Sequence, residues 1–250
     1  MARKKLMAAN WKMYKTPQQT REFFHAFLPM IAGQDRSEIV VCPPFVDLAA
    51  AIAASEHSQV AIGAQNMHWE KEGAYTGEMS ASMLVAAGCT HVIIGHSERR
   101  QYFGETDDTV NLKLKTALEA NLTPIVCVGE VLEEREVGLT EDVLRRQCLR
   151  AFYTMSAKKA GKLVVAYEPV WAIGTGKTAT PQMASEAHRL IRAEAAKAFG
   201  EEFSSNMRIL YGGSVKSENT ASLMAEPEID GALIGGASLD PKSFAAIVNY

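Results

Sequence analysis

The chain has 250 residues, 47% of them hydrophobic and 22% charged, with a formal net charge of −3, a composition that can build a sizeable core and excludes a disordered or fibrous chain. No Lys/Arg run makes the basic stripe that nucleic-acid binding requires, and no 18-residue apolar stretch is present to cross a bilayer, so neither nucleic acid nor membrane is expected as a partner. The basic start, Met1 to Lys5, is followed by Asn10, Lys12 and Lys15 in place of an unbroken apolar segment, so it does not read as a signal peptide and a cytoplasmic location is expected.

Eight short apolar, β-branched runs follow one another along the chain: Lys5 to Asn10, Ile39 to Cys42, Val60 to Ala64, His91 to Ile94, Pro124 to Val128, Leu163 to Glu168, Arg208 to Tyr211 and Gly231 to Ile234. Between them lie segments of helical periodicity, among them Thr16 to Ala32, Asp107 to Ala120, Thr140 to Met155, Pro181 to Phe199 and Pro241 to Val248. Thr16–Pro17, Thr180–Pro181 and Asp240–Pro241 each place a capping side chain before a proline, the signature of a helix start. Strands alternating with helices imply right-handed βαβ units and a parallel sheet covered on both faces. A count of eight without a Pro/Ser-rich linker predicts one α/β domain over 1–250, an eight-stranded parallel (β/α)8 barrel; an open doubly wound sheet is the alternative.

The four cysteines, Cys42, Cys89, Cys127 and Cys148, lie far apart with no metal-binding spacing and read as small buried thiols. No ligand cluster calls for a metal, and no motif calls for an organic cofactor.

In a barrel the site is built at the carboxyl ends of the strands. There the sequence places Asn10, Trp11 and Lys12 after the first strand; Gly95, His96, Ser97 and Glu98 after the fourth; Glu168 at the end of the sixth; Gly212, Gly213 and Ser214 after the seventh; and Gly235 and Gly236 after the eighth. Paired glycines after the last two strands let backbone N–H groups approach an anion, which implies a phosphorylated ligand. Each feature alone has a plainer reading. A glycine pair is also a tight turn, Glu168 a solvated strand end, His96 a structural residue, Lys12 a surface cation and Asn10 a turn residue. Their convergence on one rim carries the functional reading. The run Val170, Trp171, Ala172, Ile173, Gly174, Thr175, Gly176, Lys177 is unusually apolar for a loop and reads as a lid over a bound anion, with fixed core packing as its alternative. It is not a nucleotide-binding P-loop: the position that motif reserves for its first glycine is Trp171.

The motifs NWKM at Asn10 to Met13, AQN at Ala64 to Asn66, GAYTGE at Gly73 to Glu78, IGHSERR at Ile94 to Arg100, AYEPVWAIGTGK at Ala166 to Lys177, YGGSV at Tyr211 to Val215 and GALIGGASL at Gly231 to Leu239 occur in one order. In this the chain resembles the triosephosphate isomerase family over essentially its whole length. Ala9 and Tyr14 stand where glycine and asparagine are commoner in that family; neither carries chemistry. The resemblance implies a cofactor-free interconversion of dihydroxyacetone phosphate and D-glyceraldehyde 3-phosphate, in glycolysis and gluconeogenesis. It makes Glu168 the base, His96 a neutral electrophile beside a helix start capped by Ser97, Lys12 and Asn10 contacts to the reacting oxygens, and Glu98 the carboxylate near Lys12. Gly174, Ser214, Gly235 and Gly236 become phosphate contacts. The long connection from Gln65 to Glu78 reads as a binding loop. By resemblance it inserts into a second subunit, which implies a homodimer with Gln65, Asn66, Tyr75, Thr76, Gly77 and Glu78 at the interface. Two other readings are an isomerase of a larger sugar phosphate and a catalytically silent phosphate-binding barrel.

Overall fold

The computed structural model of the chain describes residues 3–173 and 178–250, so Gly174, Thr175, Gly176 and Lys177 of the expected lid lie outside the described residues. Eight strands form in order: β1 (Lys5–Asn10), β2 (Ser37–Cys42), β3 (Val60–Ala64), β4 (His91–Ile94), β5 (Thr123–Val128), β6 (Val164–Tyr167), β7 (Arg208–Tyr211) and β8 (Gly231–Ile234). Each pairs in parallel with the next, and β8 returns to β1 with Leu6 opposite Gly231 and Ala9 opposite Ile234. The sheet is a closed barrel, which removes the open doubly wound alternative. β2 starts two residues before its apolar run because Ser37 and Glu38 still pair with Lys5 and Leu6. Backbone pairing at the barrel's lower rim tolerates polar side chains.

Twelve α-helices surround the strands among the described residues: α1 (Pro17–Phe27), α2 (Leu48–Ser55), α3 (Ala81–Ala87), α4 (Ser97–Phe103), α5 (Asp107–Glu119), α6 (Leu132–Glu136), α7 (Thr140–Ala151), α8 (Ala157–Ala160), α9 (Pro181–Phe199), α10 (Glu201–Asn206), α11 (Ser217–Met224) and α12 (Pro241–Val248). The predicted caps form: Thr16 accepts the Gln19 N–H in a reciprocal capping box, Thr180 accepts that of Met183 and Asp240 that of Ser243. α1 is shorter than its periodicity, passing into a 3-10 turn at Leu28–Ile31, because Pro29 has no N–H to donate to the carbonyl of the preceding helical turn. α7 stops at Ala151 instead of Met155; Thr154 adopts φ 58°, a left-handed conformation that a right-handed helix does not accommodate.

Two apolar layers hold the barrel. Alternate residues, Leu6 and Ala8, Val40 and Cys42, Val164 and Ala166, point inward with Ile93, Ile125, Cys127, Leu210 and Leu233. Their neighbours in sequence, such as Met7, Val41, Val165 and Ile209, point outward and pack under the helices with Phe23, Phe24 and Phe27 of α1. Burying each such ring contributes roughly 2–3 kcal/mol relative to exposure. The period of two positions the chemistry: Asn10 continues the inward phase of Leu6 and Ala8, and Glu168 that of Val164 and Ala166, at the carboxyl ends of their strands.

Candidate active site

Asn10, Lys12, His96, Glu168, Ser214, Gly235 and Gly236 line one cavity of about 260 Å³ at the carboxyl rim, together with Gly212, Gly213, Leu233 and Ile173. That volume lies at the lower end for ligand sites and suits a small molecule better than a long sugar. The glycines after β7 are sterically required. A Cβ on Gly212 would stand 2.9 Å from Glu168 Cγ and 3.0 Å from the Tyr167 carbonyl oxygen, and one on Gly213 would stand 2.3 Å from the Tyr211 hydroxyl.

Lys12 sits on a strained support. Its φ is 53°, and the conformation is held because its N–H donates to Asn10 Oδ1 at 3.1 Å while its carbonyl accepts from Gln65 Nε2 at 2.9 Å. The ammonium reaches Glu98 Oε1 at 2.6 Å. Asn10 therefore shapes the loop that presents the cation. Gln65, expected at a subunit interface, is half-buried and bridges the Lys12 and Cys42 carbonyls.

Glu168, 1% exposed, is docked against the start of α4. Its Oε2 accepts the Ser97 N–H at 2.9 Å; its Oε1 accepts the Ser97 hydroxyl at 3.1 Å and lies 2.9 Å from His96 Nε2. Burial pushes this carboxyl up, but His96 and the two Ser97 hydrogen bonds outweigh it and hold Glu168 below the usual carboxylate range. Sequence reasoning places Ser97 on the rim as a helix cap and misses its contact with Glu168. Instead of capping α4, it is the first helical residue and the dock for the carboxylate; the cap is His96, whose Nδ1 accepts the Glu98 N–H at 3.2 Å.

That hydrogen bond sets the tautomer. With Nδ1 accepting, the neutral ring carries its proton on Nε2 and presents Nε2–H to Glu168. Burial lowers the proton affinity of His96, whereas the Glu168 charge and hydrogen bond, with a smaller pull from Glu98, raise it above the ordinary histidine value against Lys12. From sequence the helix start is expected to keep this imidazole neutral; in the structure the Glu168 carboxylate beside it pulls the other way.

A buried shell fixes the turn before His96. The Gly95 N–H donates to Glu105 Oε1 at 2.9 Å and the Gly95 carbonyl accepts from Arg100 Nε at 2.8 Å. Lys113 bridges Glu105 Oε2 and Asn66 Oδ1, each at 2.8 Å. Asn66, another residue expected to meet a partner, is thus buried within its own barrel and anchors the loop from inside. Tyr75, Thr76, Gly77 and Glu78 are exposed, and the Tyr75 ring packs against His68 with centroids 4.3 Å apart. At the described end of the lid, Trp171 Nε1 donates to the buried Glu130 at 2.9 Å, Glu130 also accepts from Tyr167 at 3.0 Å, and Val170, Ala172 and Ile173 form or follow a 3-10 turn. The four cysteines are buried free thiols, and Cys127 borders Glu168.

A closed (β/α)8 barrel with a buried carboxylate, an imidazole paired with it and a cation around a glycine-lined cavity is the framework of a proton-transferring enzyme for a small anionic substrate. Within that class, the family profile described as triosephosphate isomerase matches residues 5–250. The triosephosphate isomerase of Solibacter usitatus is 57% identical over 248 residues, covering 99% of this chain and 100% of that protein. Those of Moorella thermoacetica and Dictyoglomus turgidum are 55% and 52% identical over 99% and 98% of the chain, each covering 99% of the relative. The chain belongs to the triosephosphate isomerase family.

Proposed function

We propose that the chain interconverts dihydroxyacetone phosphate and D-glyceraldehyde 3-phosphate, with the roles set by the geometry at Glu168. The observation that carries this reading is the placement of the Glu168 carboxylate and His96 Nε2 at 2.9 Å on one wall of the cavity that Lys12 and the two glycine turns enclose. Moving a carbonyl by one carbon requires a proton to leave one carbon and reach its neighbour. Glu168, released from Ser97, takes the proton from the carbon beside the carbonyl, and the electron pair moves onto oxygen as an enediolate. His96 Nε2–H, Lys12 and Asn10 stabilise that oxygen charge in a site kept from water; His96 gives its Nε2 proton to the charged oxygen and takes up the hydroxyl proton of the neighbouring oxygen, and Glu168 returns the carbon proton to the adjacent carbon, which leaves the carbonyl moved by one position. Ser214, Gly235 and Gly236 receive the phosphate, with Gly174 added from the lid. The lid, Val170 to Lys177, shields the intermediate.

The chain acts in the cytoplasm as one barrel domain and as a homodimer. Among the described residues, no helix is long and apolar enough to cross a membrane. Exposed Tyr75 lies on the loop at residues 65–78, and Met13, Tyr14, Met83, Tyr102 and Phe103 are further large apolar side chains left uncovered, surface that supports a second copy.

Proton NMR of dihydroxyacetone phosphate in D₂O with the purified chain alone tests the chemistry. Isomerisation with deuterium entering at the exchanging carbons supports it; binding without isomerisation or exchange leaves only a phosphate-binding barrel. Sedimentation across dilution tests the dimer, which a concentration-independent active monomer excludes.

A further inference from the structure

On the underside of the barrel, opposite the catalytic rim, two cavities share a ridge formed by Lys158, Gly161 and Lys162. The first, about 430 Å³, has an apolar floor of Leu163, Phe199, Phe203 and Met207. Phe199 and Phe203 are half-buried, with ring centroids 4.7 Å apart. Its cations are Lys158, Lys162 and Arg208, against the single acid Glu202. The second, about 410 Å³, adds Lys115 and Lys159 with one acid, Glu119, and contains Met155. Both volumes fall in the range of small-molecule sites.

Much of this positive charge has no counterion. Lys162 donates to the neutral Asn121 side chain at 2.6 Å, and Lys115 donates to Thr154 at 2.7 Å. Lys158 makes no ion pair among the described residues, Lys159 meets Glu119 at 3.9 Å, and Arg208 is paired with Glu38 at 2.6 Å. Five cations against two lining acids, in a chain of net charge −3, concentrate positive potential at one place. The field is felt inside the barrel base: the His91 imidazole is pushed down to about 4, first by burial and then by Arg208, with Glu38 opposing and Lys162 adding.

We propose that this two-lobed surface binds a nucleoside triphosphate, its base over the Phe199–Phe203 floor and its phosphates along the Lys158–Lys162 ridge toward Lys115 and Lys159. An aromatic floor recognises a planar base, and lysines on both sides of a narrow ridge suit a chain of phosphates rather than a single anion. The site is built at the amino-terminal ends of β6 and β7 and on helices α5, α8, α9 and α10, and it shares no lining residue with the catalytic cavity at the carboxyl ends of the strands.

The test uses ATP and inorganic tripolyphosphate with the full chain carrying ¹³C-methyl methionine, since Met207 reports on the first cavity and Met155 on the second. ATP is expected to shift both methyl resonances saturably, with affinity that weakens as salt is raised. Tripolyphosphate is expected to move Met155 but leave Met207 in place. Lys158→Glu with Lys162→Glu should weaken ATP by about tenfold or more while triose phosphate turnover is unchanged. Lys158→Glu alone, which breaks no hydrogen bond among the described residues, carries the same test if the double variant does not fold. ATP that only competes with substrate while both methyls stay still, or that binds the variants as tightly as the parent chain, overturns the proposal.

Discussion

Replacing Glu168 by Gln separates the base from its dock, and the hydrogen-bond geometry determines the cost. Three donors converge on the two carboxylate oxygens: Ser97 N–H on Oε2, and Ser97 Oγ–H and His96 Nε2–H on Oε1. An amide has one oxygen. If that oxygen faces Ser97 N–H, the NH₂ group meets His96 Nε2–H, which cannot turn into an acceptor while Nδ1 accepts from Glu98. If it faces His96, the NH₂ group meets the Ser97 N–H. One buried donor is therefore opposed in either orientation, at about 1–3 kcal/mol. Burying a neutral amide does not offset this, because the carboxyl is held below its ordinary value and its partners already exceed its desolvation cost. The expected outcome is a melting temperature lower by roughly 2–12 °C. Turnover should fall by about 10²–10⁴ from loss of the general base, while a phosphate analogue still binds. Calorimetry and a coupled turnover assay measure both. Near-parental turnover would refute the role of Glu168 as base, and unchanged stability would refute the three-donor dock.

Acid sensitivity should come partly from buried histidines. His188, fully buried with Nδ1 at the Glu228 carbonyl and no partner at Nε2 among the described residues, has its pKa lowered from 6.5 to about 4 by burial first, against that hydrogen bond. Its unfolded form binds a proton that the folded form refuses, so its contribution is complete above about pH 6.5 and lost as pH falls toward 4, of the order of 3 kcal/mol in all. Urea titrations between those limits should show a flatter pH slope for His188→Gln, and an unchanged slope would count against the assignment. Gly231→Ala should be strongly destabilising: φ is 139° and the added Cβ would stand 2.0 Å from the Leu6 carbonyl oxygen, so soluble yield and cooperative unfolding should be lost. Removing residues 171–176 of the lid should release inorganic phosphate during turnover, because an uncovered enediolate phosphate eliminates it; a phosphate-free progress curve would argue against the shielding role.

Much of this protein is determined locally along the chain. Thr16, Thr180 and Asp240 cap where their side chains and the following prolines say they must, since a cap is decided within four residues. Period-two alternation places Asn10 and Glu168 on the inner face at the carboxyl ends of β1 and β6, so the side of the barrel that carries chemistry is legible without coordinates. Closure was not. An open sheet satisfies the same alternation, and only the pairing of β1 with β8, from opposite ends of the chain, excludes it. Tertiary structure also decided that Glu168 rests on Ser97, that His96 rather than Ser97 caps α4, and that Asn66 turns inward to Lys113. Each depends on which donor meets which acceptor across tens of residues. Residue type and spacing indicate that a side chain reaches the rim, but the turn that aims it, and the partner waiting there, exist only once the barrel has closed.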